Sequence, residues 1–243
     1  MQRLVAVFVF LVGGVALLGG CALPSDAVDP YEPFNRRLFV MNRRMDRNVL
    51  RPVASAYVET VPAWMRSGLH TLLNTANQPV VFANDVLQAR PADAGETLGR
   101  LGANLVLGLG VYDAAQKLGL PGHDNDFGRT LGVWGWSGEP YLMLPLVGPS
   151  NPRDAVGFVG DIALDPAIYL QYKYYIWSIV GRKALGLVDM RANMLTAADD
   201  LERSSLDYYA AMRSLARQYR QHQIEQAGGT PAAGMPEGNV NLP

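Results

Sequence analysis

The sequence predicts an all-α protein built from short helices. Three observations carry that prediction. Apolar residues recur at spacings of three and four along most of the chain, while the strict alternation of a half-buried strand is absent over residues 34–106. Prolines open one apolar segment after another, at the helical position where a missing N–H does no harm. The apolar segments are too short and too interrupted to span a bilayer, which takes about 20 residues.

Residues 22–32 read as a tether ended by Pro30 and Pro33. From there Phe34, Leu38, Met41, Met45 and Val49 fall on one helical face, with Arg36, Arg37, Arg43, Arg44 and Arg47 on the others. Pro52 is expected to stop this helix. Pro62 opens a segment through Leu73 that is expected to end near residues 74–77, and Pro79 opens another through Leu87. Pro91 opens a third, through Leu98, Leu101, Leu105 and Val106. Gly95, Gly99, Gly102, Gly108 and Gly110 interrupt it, and each helical glycine costs about 1 kcal/mol relative to alanine. Close helix packing along Gly95, Gly99 and Ala103, or a helix that ends near Gly108, would account for them.

Residues 119–153 read as a long ordered loop rich in glycine, proline and aromatics, with room for a short hairpin. A short helix is expected over residues 154–163. Pro166 opens a segment dominated by Tyr169, Tyr172, Tyr174, Tyr175 and Trp177, suited either to the headgroup level of a bilayer or to an aromatic core. Residues 187–226 read as two polar helices broken around Ser204 and Ser205. In the second, Leu206, Tyr209, Met212, Ala216 and Tyr219 mark the apolar stripe. Residues 227–243 carry the composition of a disordered tail.

The N-terminus has its own logic. Arg3 is followed by the uncharged apolar run Leu4–Leu18, then Leu18-Gly19-Gly20-Cys21 and the small residue Ala22. This is the layout of a secretory signal over residues 1–20, and its last four residues resemble a bacterial lipobox. Cys21, the sole cysteine, is then the lipidation site, and several acyl chains at about 0.8 kcal/mol per buried methylene make a lasting anchor. Ala22 in the next position resembles signals sorted to the outer membrane. Residues 21–226 are read as a single domain, stabilised without disulfides.

Composition narrows the partners. The formal net charge is −1, which argues against nucleic acid. Only 18% of residues are charged, against about 25% in a typical soluble domain, and 49% are apolar, as suits a chain that meets lipid or protein over much of its surface.

The sequence offers no catalytic residues in a known arrangement. His70, His123 and His222 stand in no metal-ligand spacing. Gly135-Trp136-Ser137-Gly138 is not a nucleophile elbow, and there is no phosphate-binding glycine loop or dinucleotide fingerprint. Residues 123–126, His-Asp-Asn-Asp, could offer oxygens to calcium, but turn formation explains the same letters better. No metal and no cofactor is expected. The five arginines near residue 40 could meet anionic headgroups, but pairing with local acids is the preferred reading.

Several runs resemble the MlaA (VacJ) lipoprotein family. They are residues 29–36, Asp-Pro-Tyr-Glu-Pro-Phe-Asn-Arg, with Asn35 and then Asn42; residues 84–88; Asn104 with residues 108–113; and Phe127-Gly128 within residues 126–132. The most specific is residues 140–150, with Pro140, Tyr141, Pro145, Gly148 and Pro149, followed by Arg153 and Asp154. The resemblance implies a ring of short, mostly horizontal helices embedded in the inner leaflet of a Gram-negative outer membrane, around an amphipathic channel. It implies removal of misplaced phospholipid from the outer leaflet, delivery to the periplasmic carrier MlaC, and association with a trimeric porin. Such a path needs a polar lining for the headgroup, and Asn84, Asp85 and Asn104 are the residues expected to supply it, while Asn77 is expected to cap or turn. Two other readings stay open: a scaffold that merely binds a porin, and a lipid hydrolase, for which no nucleophile and base stand in a known arrangement.

Overall fold

A computed structural model describes residues 29–169 and 175–229. The expected signal segment and Cys21 lie outside the described residues, as does most of the expected tail. Ten helices are described: α1 (Glu32–Met45), α2 (Arg51–Thr60), α3 (Ala63–Leu87), α4 (Pro91–Val106), α5 (Ala114–Lys117), α6 (Phe127–Val133), α7 (Pro152–Leu164), α8 (Tyr175–Asn193), α9 (Leu195–Ser204) and α10 (Tyr208–Gln226). One hairpin, β1 (Leu142–Leu144) and β2 (Gly148–Ser150), pairs antiparallel with Leu142 opposite Ser150 and Leu144 opposite Gly148. The all-α expectation holds, and the hairpin lies in the region that had room for it.

Two prolines do not act as expected. Pro52 does not stop α1. A π-helical turn, Asp46–Leu50, carries the chain straight into α2, with the Arg51 N–H donating to the Asp46 carbonyl. The widened turn gives the pyrrolidine ring room it would lack in a regular helix. Arg191 of α8 clamps this turn with two bonds to Asp46, at 2.8 and 3.0 Å. Pro79 likewise lies inside α3, so the two segments expected on either side of it are one helix. The buried residues Thr75, Gln78, Val80 and Val81 flank the missing hydrogen bond, and Arg182 donates to the nearby Ala76 carbonyl at 3.2 Å. Tertiary packing outweighs the local cost of the proline.

Other boundaries also move. Residues 127–133, expected as loop, form α6, because Asp126 caps it by accepting the Arg129 N–H. Asn151 caps α7 in the same way, so the helix begins two residues ahead of the expected start. The boundary expected at residue 187 is absent, since α8 runs from Tyr175 to Asn193, while the break at Ser204 and Ser205 is present. The glycines of α4 do not mediate close helix packing: a Cβ at Gly95 or Gly102 would meet nothing within 4 Å. Gly108 is the constrained one, where a Cβ would sit 2.0 Å from the Tyr112 carbonyl oxygen at the turn that ends α4.

The helices contact one another in a closed circuit. α1 continues into α2; α2 packs on α8, α8 on α3, α3 on α7, α7 on α6, α6 on α10, α10 on β2, and β1 returns to α1. Two features lock it. At the α6–α7 crossing the backbones touch: a Cβ at Gly157 would lie 2.4 Å from the Gly128 Cα and N, and Phe127 covers Gly160. Where α1 meets the hairpin, Tyr141, Met143 and Tyr209 form the buried apolar cluster, with Leu38 and Phe39 against it.

Among the described residues the burial is inverted relative to a water-soluble bundle. Asp29, Asn35, Asn84, Asp85, Thr97, Asn104 and Thr130 are buried. The stripe Phe34, Met41, Met45 and Val49, read from the sequence as a helical face, is exposed. So are Tyr169 and Trp177, which therefore do not form an aromatic core. No helix of the described residues is long and apolar enough to cross a membrane.

Candidate functional site

Buried and exposed polar residues together line a cleft of about 350 Å³. Helical geometry assembles its first wall. Ser67, His70, Thr71, Asn74, Asn77 and Gln78 recur at spacings of three and four, so α3 turns one polar stripe toward the cleft. Arg100 and Asn104, four apart, do the same from α4, while Leu98, Leu105 and Val106 point outward. The segment between α4 and α6 closes the other side with Asp113, Gln116, Gly122, His123 and Asp124.

Hydrogen bonds fix these walls. Arg100 donates to both Asp113 oxygens, at 3.2 and 3.0 Å, and to the Leu120 carbonyl. Gly122 has φ +76°, and a Cβ there would fall 2.5 Å from the Arg100 Nε, so only glycine fits beside the guanidinium. The Asn104 side chain accepts the Ala115 N–H at 2.9 Å, and its carbonyl accepts the Gly110 N–H at 2.8 Å. His70 bonds Asp189 of α8 at 2.7 Å and Asn74 at 2.9 Å. His123 bonds the Asp85 carboxylate at 2.9 Å.

Behind the wall lies a buried polar network. Asp85 also accepts from Thr97 and Asn125, both at 2.7 Å. Burial pushes its carboxyl up, but the bonds from His123, Asn125 and Thr97 together outweigh that and hold it below the usual range. The same bond to Asp85 raises His123 against the effect of burial. Asn84 donates to the Val80 carbonyl at 2.9 Å and to Asp161 at 3.3 Å, and accepts from Thr130 at 2.7 Å. Burial pushes Asp161 up to about 6.

The residues expected along a polar lining separate into two groups. Asn104 borders the cleft. Asn84 and Asp85 do not: each is 0% exposed and belongs to the network behind the wall. Asn77, expected to cap or turn, stands mid-helix and faces the cleft. The remaining motif residues hold the circuit together. Asn35 bonds the hairpin backbone by accepting the Met143 N–H at 2.9 Å and donating to the Tyr141 carbonyl at 3.1 Å. Asn42, two turns on, repeats this with the Leu146 N–H and the Leu144 carbonyl, both at 2.8 Å. Phe127 and Gly128 form the α6–α7 crossing, and Pro140, Tyr141, Pro145, Gly148 and Pro149 shape the hairpin and its flank. Arg153 pairs with Asp154 at 2.9 Å, and Arg220 bridges Asp154 and Asp126. Residues 123–126 work as turn and cap, as Asn125 bonds Asp85 and Asp126 caps α6. Among the described residues no group of histidines and acids could hold a metal ion. Of the five arginines near residue 40, Arg36 pairs with the local acid Glu32 and with Asp207, and Arg43 and Arg47 pair with the distant Glu202.

The family model described as MlaA lipoprotein matches residues 27–223. The chain is 31% identical over 231 residues to a Haemophilus influenzae protein named intermembrane phospholipid transport system lipoprotein MlaA, covering 88% of this chain and 88% of that protein. It is 30% identical over 226 residues to the protein of the same name from Escherichia coli, covering 89% and 87%. A solved structure, from work on the structural basis for maintenance of bacterial outer membrane lipid asymmetry, superposes with a TM-score of 0.72 at 30% identity, covering 81% of this chain and 98% of that one.

Proposed function

The chain belongs to the MlaA lipoprotein family, and on that premise we propose that it moves phospholipid out of the outer leaflet of the outer membrane toward the periplasm. The observation that carries this reading is the two-sidedness of α3 and α4. Ser67, Asn74, Asn77 and Asn104 face the cleft, while Trp64, Leu98, Leu105 and Val106 face outward. A phospholipid is two-sided in the same sense. Its headgroup needs hydrogen-bonding partners once it leaves water, and its tails need an apolar surface. The cleft supplies the first and the outer faces the second. The exposed apolar rim also suits helices that lie within one leaflet rather than cross it.

In this reading Cys21 carries the lipid anchor, and the body sits on the periplasmic side of the membrane. A soluble periplasmic carrier such as MlaC receives the lipid, and a trimeric porin is the neighbouring membrane partner. The test is a chromosomal deletion complemented by variants, with outer-leaflet phospholipid and detergent resistance as readouts. Deletion raises surface phospholipid. Asn77→Trp, which fills the cleft from a partly exposed position, leaves protein levels normal and restores nothing. Full restoration by Asn77→Trp would show that the cleft is not the path.

A further inference from the structure

The charges of the cleft are arranged in one sense. Its only guanidinium, Arg100, is 9% exposed at the side chain and spent on Asp113. Its two imidazoles each face a carboxylate behind the wall: His70 faces Asp189, which is 7% exposed, and His123 faces Asp85, which is 0% exposed. Asp124 adds an exposed carboxylate, and the only guanidinium bonded to that residue among the described residues, Arg129, is buried behind the wall and donates to its carbonyl. The rest of the wall is uncharged, mostly amide and hydroxyl. Every basic side chain that lines the cleft therefore already faces a carboxylate.

Resting on the transport reading above, we infer that the cleft favours zwitterionic phospholipids, whose headgroup carries its own amine, over net-anionic ones. A phosphodiester entering the cleft meets hydrogen-bond donors in Ser67, Asn74 and Asn77, but no free positive charge. In a zwitterionic headgroup the amine balances the phosphate and can approach Asp124. An anionic headgroup brings an uncompensated charge against that carboxylate. Arg100 cannot swing out to meet it, because Asp113 and the Leu120 carbonyl hold it and Gly122 packs over its side chain.

The experiment uses the full lipidated chain in vesicles that hold tail-labelled phosphatidylethanolamine or phosphatidylglycerol, with a soluble lipid-binding acceptor outside. Transfer rates of the two lipids are compared. The expected preference is about fivefold for phosphatidylethanolamine, the size of effect one unit charge exerts across several ångströms of nearly aqueous surroundings. Asp113→Asn frees the Arg100 charge and brings the ratio toward one. Because Asp113 also caps α5, Asn74→Arg is the second variant. It places an unmatched cation at an exposed cleft position and leaves the wall's hydrogen bonds to the backbone intact, and it too erases the preference. Equal rates in the native chain, or faster phosphatidylglycerol, would overturn the inference. So would an unchanged ratio in Asn74→Arg. Transfer of neither lipid above empty vesicles would instead bring down the transport reading itself.

Discussion

Replacing Asn35 with alanine tests how the α1–hairpin junction is held. The Asn35 side chain makes three bonds: to Asp29 Oδ1 at 2.8 Å, to the Tyr141 carbonyl at 3.1 Å, and from the Met143 N–H at 2.9 Å. Asn35, Tyr141 and Met143 are all buried, so water cannot take the vacated places. Each orphaned buried group costs about 1–3 kcal/mol, so with three partners orphaned the variant should lose about 4 kcal/mol. That is a large share of the 5–15 kcal/mol typical of a folded domain. Asn42 provides the control. It makes the same pair of backbone bonds one hairpin step along, but at a partly exposed site. Water can replace it there, and Asn42→Ala should cost about 1 kcal/mol. The assay is urea unfolding in mild detergent, followed by tryptophan fluorescence. Equal losses in the two variants, or a loss below 1 kcal/mol for Asn35→Ala, would refute the argument that burial of the junction sets its strength.

Other consequences can be measured in the same way. Gly157→Ala forces a Cβ to within 2.4 Å of the Gly128 backbone, so α6 and α7 must separate. It should cost several kcal/mol by the overpacking mechanism and expose the α6 segment to limited proteolysis. Arg220→Met strands the Asp126 and Asp154 carboxylates and should cost about 3 kcal/mol in thermal unfolding. Burial pushes Asp126 up, but the bond and charge of Arg220 outweigh it and hold the carboxyl low. Its contribution is therefore present above the unfolded value near 4 and is lost as pH falls through the lower folded value. Asp161 has the opposite sign. Its folded value is raised to about 6, so stability is lost as pH rises from about 4 to 6. Asp161→Asn keeps an acceptor for the Phe127 N–H and should gain about 2 kcal/mol at pH 7 and flatten that limb of the profile, checked by melting temperature across pH.

The helical period was legible because it depends only on spacing, and so were the hairpin region and the motif residues. The errors cluster where one residue type serves two conformations. Pro52 and Pro79 carry a local stop signal, yet a π turn bound by Arg191 and a helix held by neighbours through Val80 and Val81 override it. Asp126 and Asn151 read as loop residues until their side chains are seen to cap helices. For the site, Asn104 was found because it lies among apolar residues. The stripe of Ser67, His70, Thr71, Asn74 and Gln78 was missed, although its three-and-four spacing is as regular as any apolar face. The signal lies in the polar residues of α3 rather than in its apolar ones.

That miss has a physical cause that also explains the burial pattern. A period of 3.6 residues separates two faces of a helix but does not say which one turns inward. In water the apolar face goes inside, since burying it is what stabilises the fold. For helices that lie in a leaflet, lipid removes that preference, and the groups needing shelter are the polar ones, because an amide without a partner in hydrocarbon costs several kcal/mol. α1 shows the inversion directly. Asn35 and Asn42 point in, seven residues apart with Leu38 and Phe39 between them, while Phe34, Met41, Met45 and Val49 point out. The same rule then predicts the cleft. On the proposed reading, helices that hide polar faces from lipid must gather them somewhere, and among the described residues the polar stripes of α3 and α4 meet across the cleft.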